Sequence, residues 1–93
     1  MVNFSITCHS GFAAPAGAIE ALWERLDAPH DDARFTKVGG EIRAMWGADA
    51  PVSMERDERE EVGRLAVLEI VREACDGTPE LKSDWFAVGA MRY

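Results

Sequence analysis

The spacing of the apolar residues changes along this chain, and that change limits the possible folds more than any other feature. Over residues 2–8 apolar and polar residues alternate, which is the period of a strand with one buried face. Between Ile19 and Leu26 the apolar residues fall on one helical stripe. Pro15 suits the first position of a helix, and Pro29 prevents its continuation. The sequence therefore predicts a first strand and then a helix over about 15–28.

Gly39 and Gly40 separate two short runs, ARFTKV at 33–38 and EIRAMW at 41–46. A pair of glycines between two runs of this kind is typical of a hairpin whose turn needs positive φ angles. We therefore expect the second and third strands to be antiparallel neighbours.

The second half of the chain begins with helix-favouring residues at 54–75, interrupted by Gly63. Ser53 can cap this helix at its N-terminus, and Gly77 can end it in a left-handed conformation. The last run, DWFAVGAMRY, is aromatic and apolar enough to form a strand. These features predict a second helix followed by a final strand.

The predicted order of elements is thus β, α, β, β, α, β. This order resembles the ferredoxin-like βαββαβ sandwich, which has a four-stranded antiparallel sheet in the order 4-1-3-2 and two helices on one face, joined by right-handed crossovers. The resemblance implies an α+β protein, and the length of 93 residues predicts a single domain over residues 1–93. Many unrelated activities occur on this fold, so the resemblance does not by itself predict a function.

The charge of the chain bears on the kind of partner. The formal net charge is −7, from 17 acidic and 10 basic residues. The basic residues are scattered from Arg25 to Arg92, whereas a phosphate-binding surface needs them clustered. We therefore expect no direct binding of nucleic acid, and we expect protein partners with basic surfaces.

Hydrophobic stretches, export signals and cysteines indicate the compartment in which a protein is found. No apolar stretch approaches the length needed to cross a bilayer, and the start does not resemble an export signal. Two cysteines are too few for a disulfide scaffold. We expect a cytoplasmic protein without membrane contact, and the excess of Arg over Lys, eight to two, favours a GC-rich bacterial or phage genome.

Cys8 and His9 are adjacent where the first strand ends. Neighbouring strand residues point to opposite faces, so these two cannot form a thiolate–imidazole pair unless the chain already turns there. Cys8 is also in phase with the buried positions of the strand, which favours a core thiol over a reactive one. Residues 29–32, PHDD, could supply metal ligands, but such clusters are also typical of loops after helices. We predict no catalytic residue, no metal site and no cofactor.

The run MERDEREE at 54–61 makes the first half of the second helix acidic. Opposite charges lie four residues apart along it, which is typical of a solvated face supported by ion pairs. The other interpretation is an acidic surface that docks on a basic partner. In that interpretation the interacting carboxylates are those of Glu55, Asp57, Glu58 and Glu61.

Two leucines of the same helix, Leu65 and Leu68, point away from the stripe that suits the sheet. Either the first helix or a partner chain must cover them. The final strand is apolar on both faces although the fold places it at the edge of the sheet, and its Trp85, Met91 and Tyr93 complete the predicted interaction residues. An exposed apolar edge favours a homodimer.

Together these features predict a small, acidic, non-catalytic protein-interaction module that forms a homodimer and binds a protein with a basic surface. One form of this function is an inhibitor that occupies a basic, nucleic-acid-binding site on a partner such as a bacterial defence complex. The alternative is a small enzyme or ligand-binding protein of the dimeric α+β barrel type, with a pocket between facing sheets. Asn3, Ser5, Met45 and Trp85 would line that pocket, with His9 at its rim.

Overall fold

The computed structural model describes residues 2–9, 11, 14–26, 33–47 and 55–91. In this part of the chain the elements follow the predicted order, with one short 3-10 helix before the last strand. Their bounds are Val2–Cys8 (β1), Ala18–Arg25 (α1), Ala33–Val38 (β2), Glu41–Trp46 (β3), Arg56–Asp76 (α2), Ser83–Trp85 (the 3-10 helix) and Phe86–Ala90 (β4). None of the helices in these residues combines the length and the hydrophobicity that crossing a membrane requires.

The four strands form one antiparallel sheet in the order β2-β3-β1-β4, which is 4-1-3-2 when counted from the β4 edge. β1 is central, because Phe4 pairs with Ala44 of β3 on one side and with Ala90 of β4 on the other. Since every neighbouring pair is antiparallel, β1 and β2 run in one direction and β3 and β4 in the other. The predicted α+β class, with a four-stranded antiparallel sheet and two helices, is confirmed.

Both helices pack on the same face of the sheet. Alternate residues of the two central strands are buried, and they form one core cluster with residues of α1 and α2. The large side chains that are completely buried are those of Phe4, Ile6, Leu22, Ile42, Val67 and Val71. The opposite face of the sheet is covered by neither α1 nor α2.

α2 approaches the sheet closely at Gly63. A Cβ atom at this position would lie 2.7 Å from Cε3 of Trp46 and 2.9 Å from Cε2 and Cζ of Phe4. Carbon atoms in ordinary contact lie about 3.5–4.0 Å apart, so a side chain at this position would overlap both aromatic rings. Packing therefore explains why a glycine interrupts an otherwise helix-favouring run.

The starts of the two helices differ from the prediction. α1 was expected over about 15–28 but spans Ala18–Arg25, and Gly17 immediately before it has a left-handed φ of 84°. A right-handed helix cannot include a residue in that conformation, so α1 begins after it. The predicted cap Ser53 lies outside the described residues, and Glu55 occupies the N-cap position of α2 without a side-chain hydrogen bond to the helix.

The end of α2 also differs from the prediction. The helix ends at Asp76, but Gly77 has a φ of −80°, so the expected left-handed stop is wrong. The buried Thr78 ends the helix instead, since its Oγ1 donates to the carbonyl of Ala74 at 3.1 Å. Its backbone N–H donates to the carbonyl of Cys75 at 3.0 Å. With two carbonyl groups of the last turn satisfied in this way, a left-handed residue is not needed.

The final strand is shorter than predicted. It begins at Phe86, because Ser83–Trp85 form a 3-10 helix in place of the first residues of the expected strand. The backbone N–H of His9 donates to the carbonyl of Trp85 at 2.7 Å, which ties this turn to the end of β1. Residues 92 and 93 lie outside the described part of the chain.

Candidate functional site

One candidate site is the face of α2 that points away from the core. Gly63, Val67 and Val71 face the sheet and are buried, so residues about half a turn away from them face solvent. All four acidic residues that the sequence predicts for interaction are exposed. We define the outer α2 surface as these four residues and two apolar neighbours: Glu55, Asp57, Glu58, Glu61, Val62 and Leu65.

The two apolar residues of the outer α2 surface are unusually exposed for their size. Val62 is 44% exposed and Leu65 is 50% exposed, and they are neighbours on the helix because they lie three residues apart. Of the two alternatives that the sequence left open, cover of Leu65 by α1 is not found, although Leu68 is half-buried. The reason is that both helices lie on the sheet, so α1 can reach the flank of α2 but not its outward side.

Two arginines of α2 pair with carboxylates three residues before them. Arg64 Nη2 lies 2.8 Å from Glu61 Oε1, and Arg72 Nη1 lies 3.3 Å from Glu69 Oε2. The hydrogen bond from Arg64 lowers the pKa of the Glu61 carboxyl. Such exposed pairs contribute little to stability. From residue 56 to residue 76 the helix carries seven carboxylates and four arginines, so it remains negatively charged.

Two of the three interaction residues predicted for the last strand, Trp85 and Met91, lie outside β4. Trp85 precedes β4 and packs, half-buried, against the core. Met91 is half-buried, and its backbone N–H donates to the carbonyl of Asn3 at 2.8 Å. Tyr93 lies outside the described residues. The strand itself, FAVGA, is an edge strand without a charged side chain.

A second candidate site is a groove on the uncovered face of the sheet, with a volume of about 250 Å³. It crosses β2, β3 and β1 and reaches the residue that follows β4. The residues that line this sheet groove are Asn3, Thr36, Val38, Arg43, Met45 and Met91. Asn3 and Met45 were predicted to line a pocket on this face, whereas Trp85, also predicted there, packs against the core.

A hydrogen-bond network beside the sheet groove joins β1 to β3. Ser5 Oγ donates to Glu41 Oε2 at 2.5 Å, and Arg43 donates through both Nε and Nη2 to Glu41 Oε1 at 3.3 Å. The hydrogen bond from Ser5 and then those from Arg43 lower the pKa of the Glu41 carboxyl. The alternation in the sequence places Ser5 and Arg43 on this face, but it does not contain the register that brings Glu41 to Ser5. This network therefore could not be predicted from the sequence.

The two cysteines lie in opposite environments. Cys8 is exposed, so the prediction that it is a core residue is wrong. Phe86, its partner across the sheet, is buried, so Cys8 does lie on the sheet face that the helices cover. The alternation in β1 predicts this face correctly, but it does not predict where along the strand the helices stop covering the face. His9 beside it accepts a hydrogen bond at Nδ1 from the backbone N–H of Gly11 at 2.9 Å. Cys75 is buried, and that burial, followed by the charge of the neighbouring Asp76, raises the pKa of its thiol.

Metal ligands are not grouped in the described part of the chain. Among those residues, no three or more His, Cys, Asp or Glu side chains lie where they could hold one ion. The PHDD run at 29–32 lies outside the described residues. The absence of a metal site therefore stays a prediction.

Comparisons with known proteins give no relative. No family model matches the chain, and no curated protein or solved structure is significantly similar to it. The assignment of a function therefore rests on the outer α2 surface and the sheet groove.

Proposed function

We propose that this protein is a non-catalytic interaction module of the cytoplasm, which binds a protein with a basic surface through the outer α2 surface. The observation that carries this proposal is the position of Val62 and Leu65, exposed at 44% and 50%, among exposed carboxylates. An apolar centre with a polar rim is the usual arrangement of a protein–protein interface. Apolar side chains left in water add little to the stability of the chain itself, because it is burial that stabilises.

The charge of α2 supports a positively charged partner. The helix carries a surplus of carboxylates, and Glu55 at its start adds one more. Negative potential of this kind speeds association with a positive surface and disfavours acidic partners. A protein site that binds nucleic acid through clustered Lys and Arg has the required charge. One form of the function is thus an inhibitor that occupies such a site, for example on a bacterial defence complex, with carboxylates in place of phosphates.

Two valines of equal exposure allow a matched test of the outer α2 surface. Val62 and Val38 are each 44% exposed, but Val62 lies on α2 and Val38 lies on β2 at the other face of the molecule. We expect Val62→Glu to abolish capture of the protein partner from a lysate and Val38→Glu to leave the capture unchanged. Mass spectrometry identifies the partner, and circular dichroism confirms that both variants fold.

Salt provides the second part of this test. Raising the ionic strength should release the partner, because salt screens exposed charges. Equal capture by the two valine variants, or a complex that salt does not weaken, would contradict the proposed surface.

We also propose that the fold is ferredoxin-like. α1 lies between the parallel strands β1 and β2 in the chain, and α2 between the parallel strands β3 and β4. Each of these pairs of strands has one strand of the other pair between its members, and both helices share one core cluster. These features support two split βαβ motifs, one formed by β1, α1 and β2 and the other by β3, α2 and β4.

We further propose that the protein forms a homodimer through β4. β4 is at the edge of the sheet, and its residues FAVGA include none of the charges or prolines with which proteins protect exposed edges. The exposed Ala90 is a suitable position for a protecting charge. We expect light scattering to detect a dimer of the wild type and a monomer of Ala90→Lys. A wild-type protein that is monomeric at every concentration would refute the dimer.

The sheet groove favours a second candidate function, a ligand-binding protein or small enzyme of the dimeric α+β barrel type. In such a dimer the uncovered sheet faces of two copies enclose a pocket. Met45 distinguishes this dimer from one formed through β4, because its side chain is 37% exposed within the groove. On dimerisation the Met45 methyl resonance should shift strongly in the barrel-type dimer and remain in place in the β4 dimer.

A further inference from the structure

The sheet groove combines apolar walls with a small number of polar groups. Met45 and Met91 contribute thioether side chains, Asn3 and Thr36 contribute hydrogen-bonding groups, and Arg43 contributes a positive charge. Binding sites for small molecules are concave and mostly apolar, with a few polar groups that fix the orientation of the ligand. Methionine side chains also adapt to ligands of irregular shape. The groove therefore has the composition of a site for a small amphipathic molecule.

Charge is distributed unequally between the two layers of the molecule. On the uncovered face the strands carry Arg34 and Arg43 against Glu41 alone, whereas α2 has a surplus of carboxylates. Arg34 is exposed, and it pairs across the sheet with Met45, so it stands beside the groove. On a protein with a net charge of −7, this face is therefore where an anion meets positive side chains.

Arg43 is held loosely by its partner within the protein. Its Nε and Nη2 both reach the same oxygen of Glu41, at 3.3 Å, while the other oxygen of Glu41 accepts the 2.5 Å hydrogen bond from Ser5. The strong arrangement for an arginine and a carboxylate has two parallel and shorter hydrogen bonds to two oxygens. A ligand carboxylate can supply that arrangement, whereas Glu41 accepts both hydrogen bonds from Arg43 on a single oxygen.

We propose that the sheet groove binds a small carboxylate with an apolar tail. The carboxylate lies on Arg43, and the tail lies along Met45 and Met91. A volume of about 250 Å³ is below the usual range for drug-sized ligands, so the ligand is a medium-chain or single-ring carboxylate. This site is independent of the outer α2 surface and needs only one copy of the chain, so its failure would leave the proposed interaction function standing.

The test is an NMR titration of the whole protein with octanoate, and octylammonium serves as the matched probe of opposite charge. We expect octanoate to shift the amide resonances of Asn3, Thr36, Met45 and Met91 in a saturable way. Octylammonium, which has the same tail, should leave these resonances in place. Wild-type protein that shows no saturation at millimolar octanoate, or an equal response to both probes, would overturn the proposal.

Three substitutions then test the role of Arg43. Arg43→Gln should raise the Kd for octanoate about tenfold, as expected for loss of a charge-assisted hydrogen bond. Glu41→Gln should lower the Kd, because it removes the carboxylate that competes for Arg43. Arg64→Gln is the control, since Arg64 also pairs with a glutamate but lies on α2, and it should leave the Kd unchanged. The proposal is wrong if Arg43→Gln binds octanoate as the wild type does; if that variant fails to fold, the two-probe comparison on the wild type decides.

Discussion

Gly63 is the position where a single methyl group tests the packing of α2 on the sheet. The added Cβ of Gly63→Ala would lie 2.7 Å from Trp46 Cε3 and 2.9 Å from Phe4 Cε2 and Cζ. Ordinary carbon contacts need about 3.5–4.0 Å, so the helix or the two rings must move by roughly 0.6–1.3 Å. Phe4 is completely buried and cannot turn aside into solvent.

Two opposing effects determine the magnitude. Overpacking a well-filled core costs about 1–3 kcal/mol, whereas replacing glycine by alanine inside a helix gains about 1 kcal/mol. We therefore expect Gly63→Ala to lower the free energy of unfolding by about 1 kcal/mol, within a range of about 0–2 kcal/mol. For a domain of this size, 1 kcal/mol corresponds to a fall in Tm of about 4–8 °C.

Urea unfolding followed by tryptophan fluorescence and circular dichroism measures this change. Ala66→Gly, at a half-buried position of the same helix, measures the helix-propensity effect separately. Phe4→Leu removes two of the three atoms that a Cβ at residue 63 would approach, so Gly63→Ala should cost less in that background. A Gly63→Ala variant that is stabilised by the full propensity gain, equally in the wild type and in the Phe4→Leu background, would contradict a steric clash at this position.

Three further predictions concern hydrogen bonds and thiols. Ser5→Ala removes the largest cause of the lowered pKa of Glu41, so an NMR titration should show that pKa rising towards its ordinary value. The stability that ionised Glu41 contributes is present above its unfolded-state pKa and is lost as the pH falls through its lower folded-state pKa. The unfolding free energies of wild type and Ser5→Ala should therefore converge in acid. A difference between the two proteins that does not change with pH would contradict this. Thr78→Val should lower the free energy of unfolding by about 1 kcal/mol, because it removes the hydroxyl that ends α2. Thr78→Ser keeps the hydroxyl and should retain most of the stability. Equal losses in the two variants would argue against a role of the hydroxyl. A thiol reagent should modify the exposed Cys8 of the native protein quickly and Cys75 only after unfolding, because burial shields the Cys75 thiol and raises its pKa. Rapid modification of both cysteines in the native protein would contradict this.

Local patterns predicted the strands well. β1, β2 and β3 have the bounds expected from alternation and from the two glycines of the hairpin, of which Gly39 has a positive φ of 62°. The ends of the helices were predicted less well, because they depend on single residues such as Gly17 and Thr78 whose conformations neighbouring residues decide. The negative charge of α2 was also evident from the sequence, since charge needs no knowledge of contacts.

Residues close together in the chain were enough to predict the order of the elements, the inward faces of β1 and β3 and the acidic character of α2. Which apolar residues are covered depends on how the helices pack on the sheet, and this packing leaves Cys8 and Leu65 in solvent. The tertiary structure also decided the register that joins Ser5 to Glu41 across 36 residues and places Arg43 in the sheet groove. Coverage and register arise from contacts between distant segments, so the periodicity of a single segment cannot predict them.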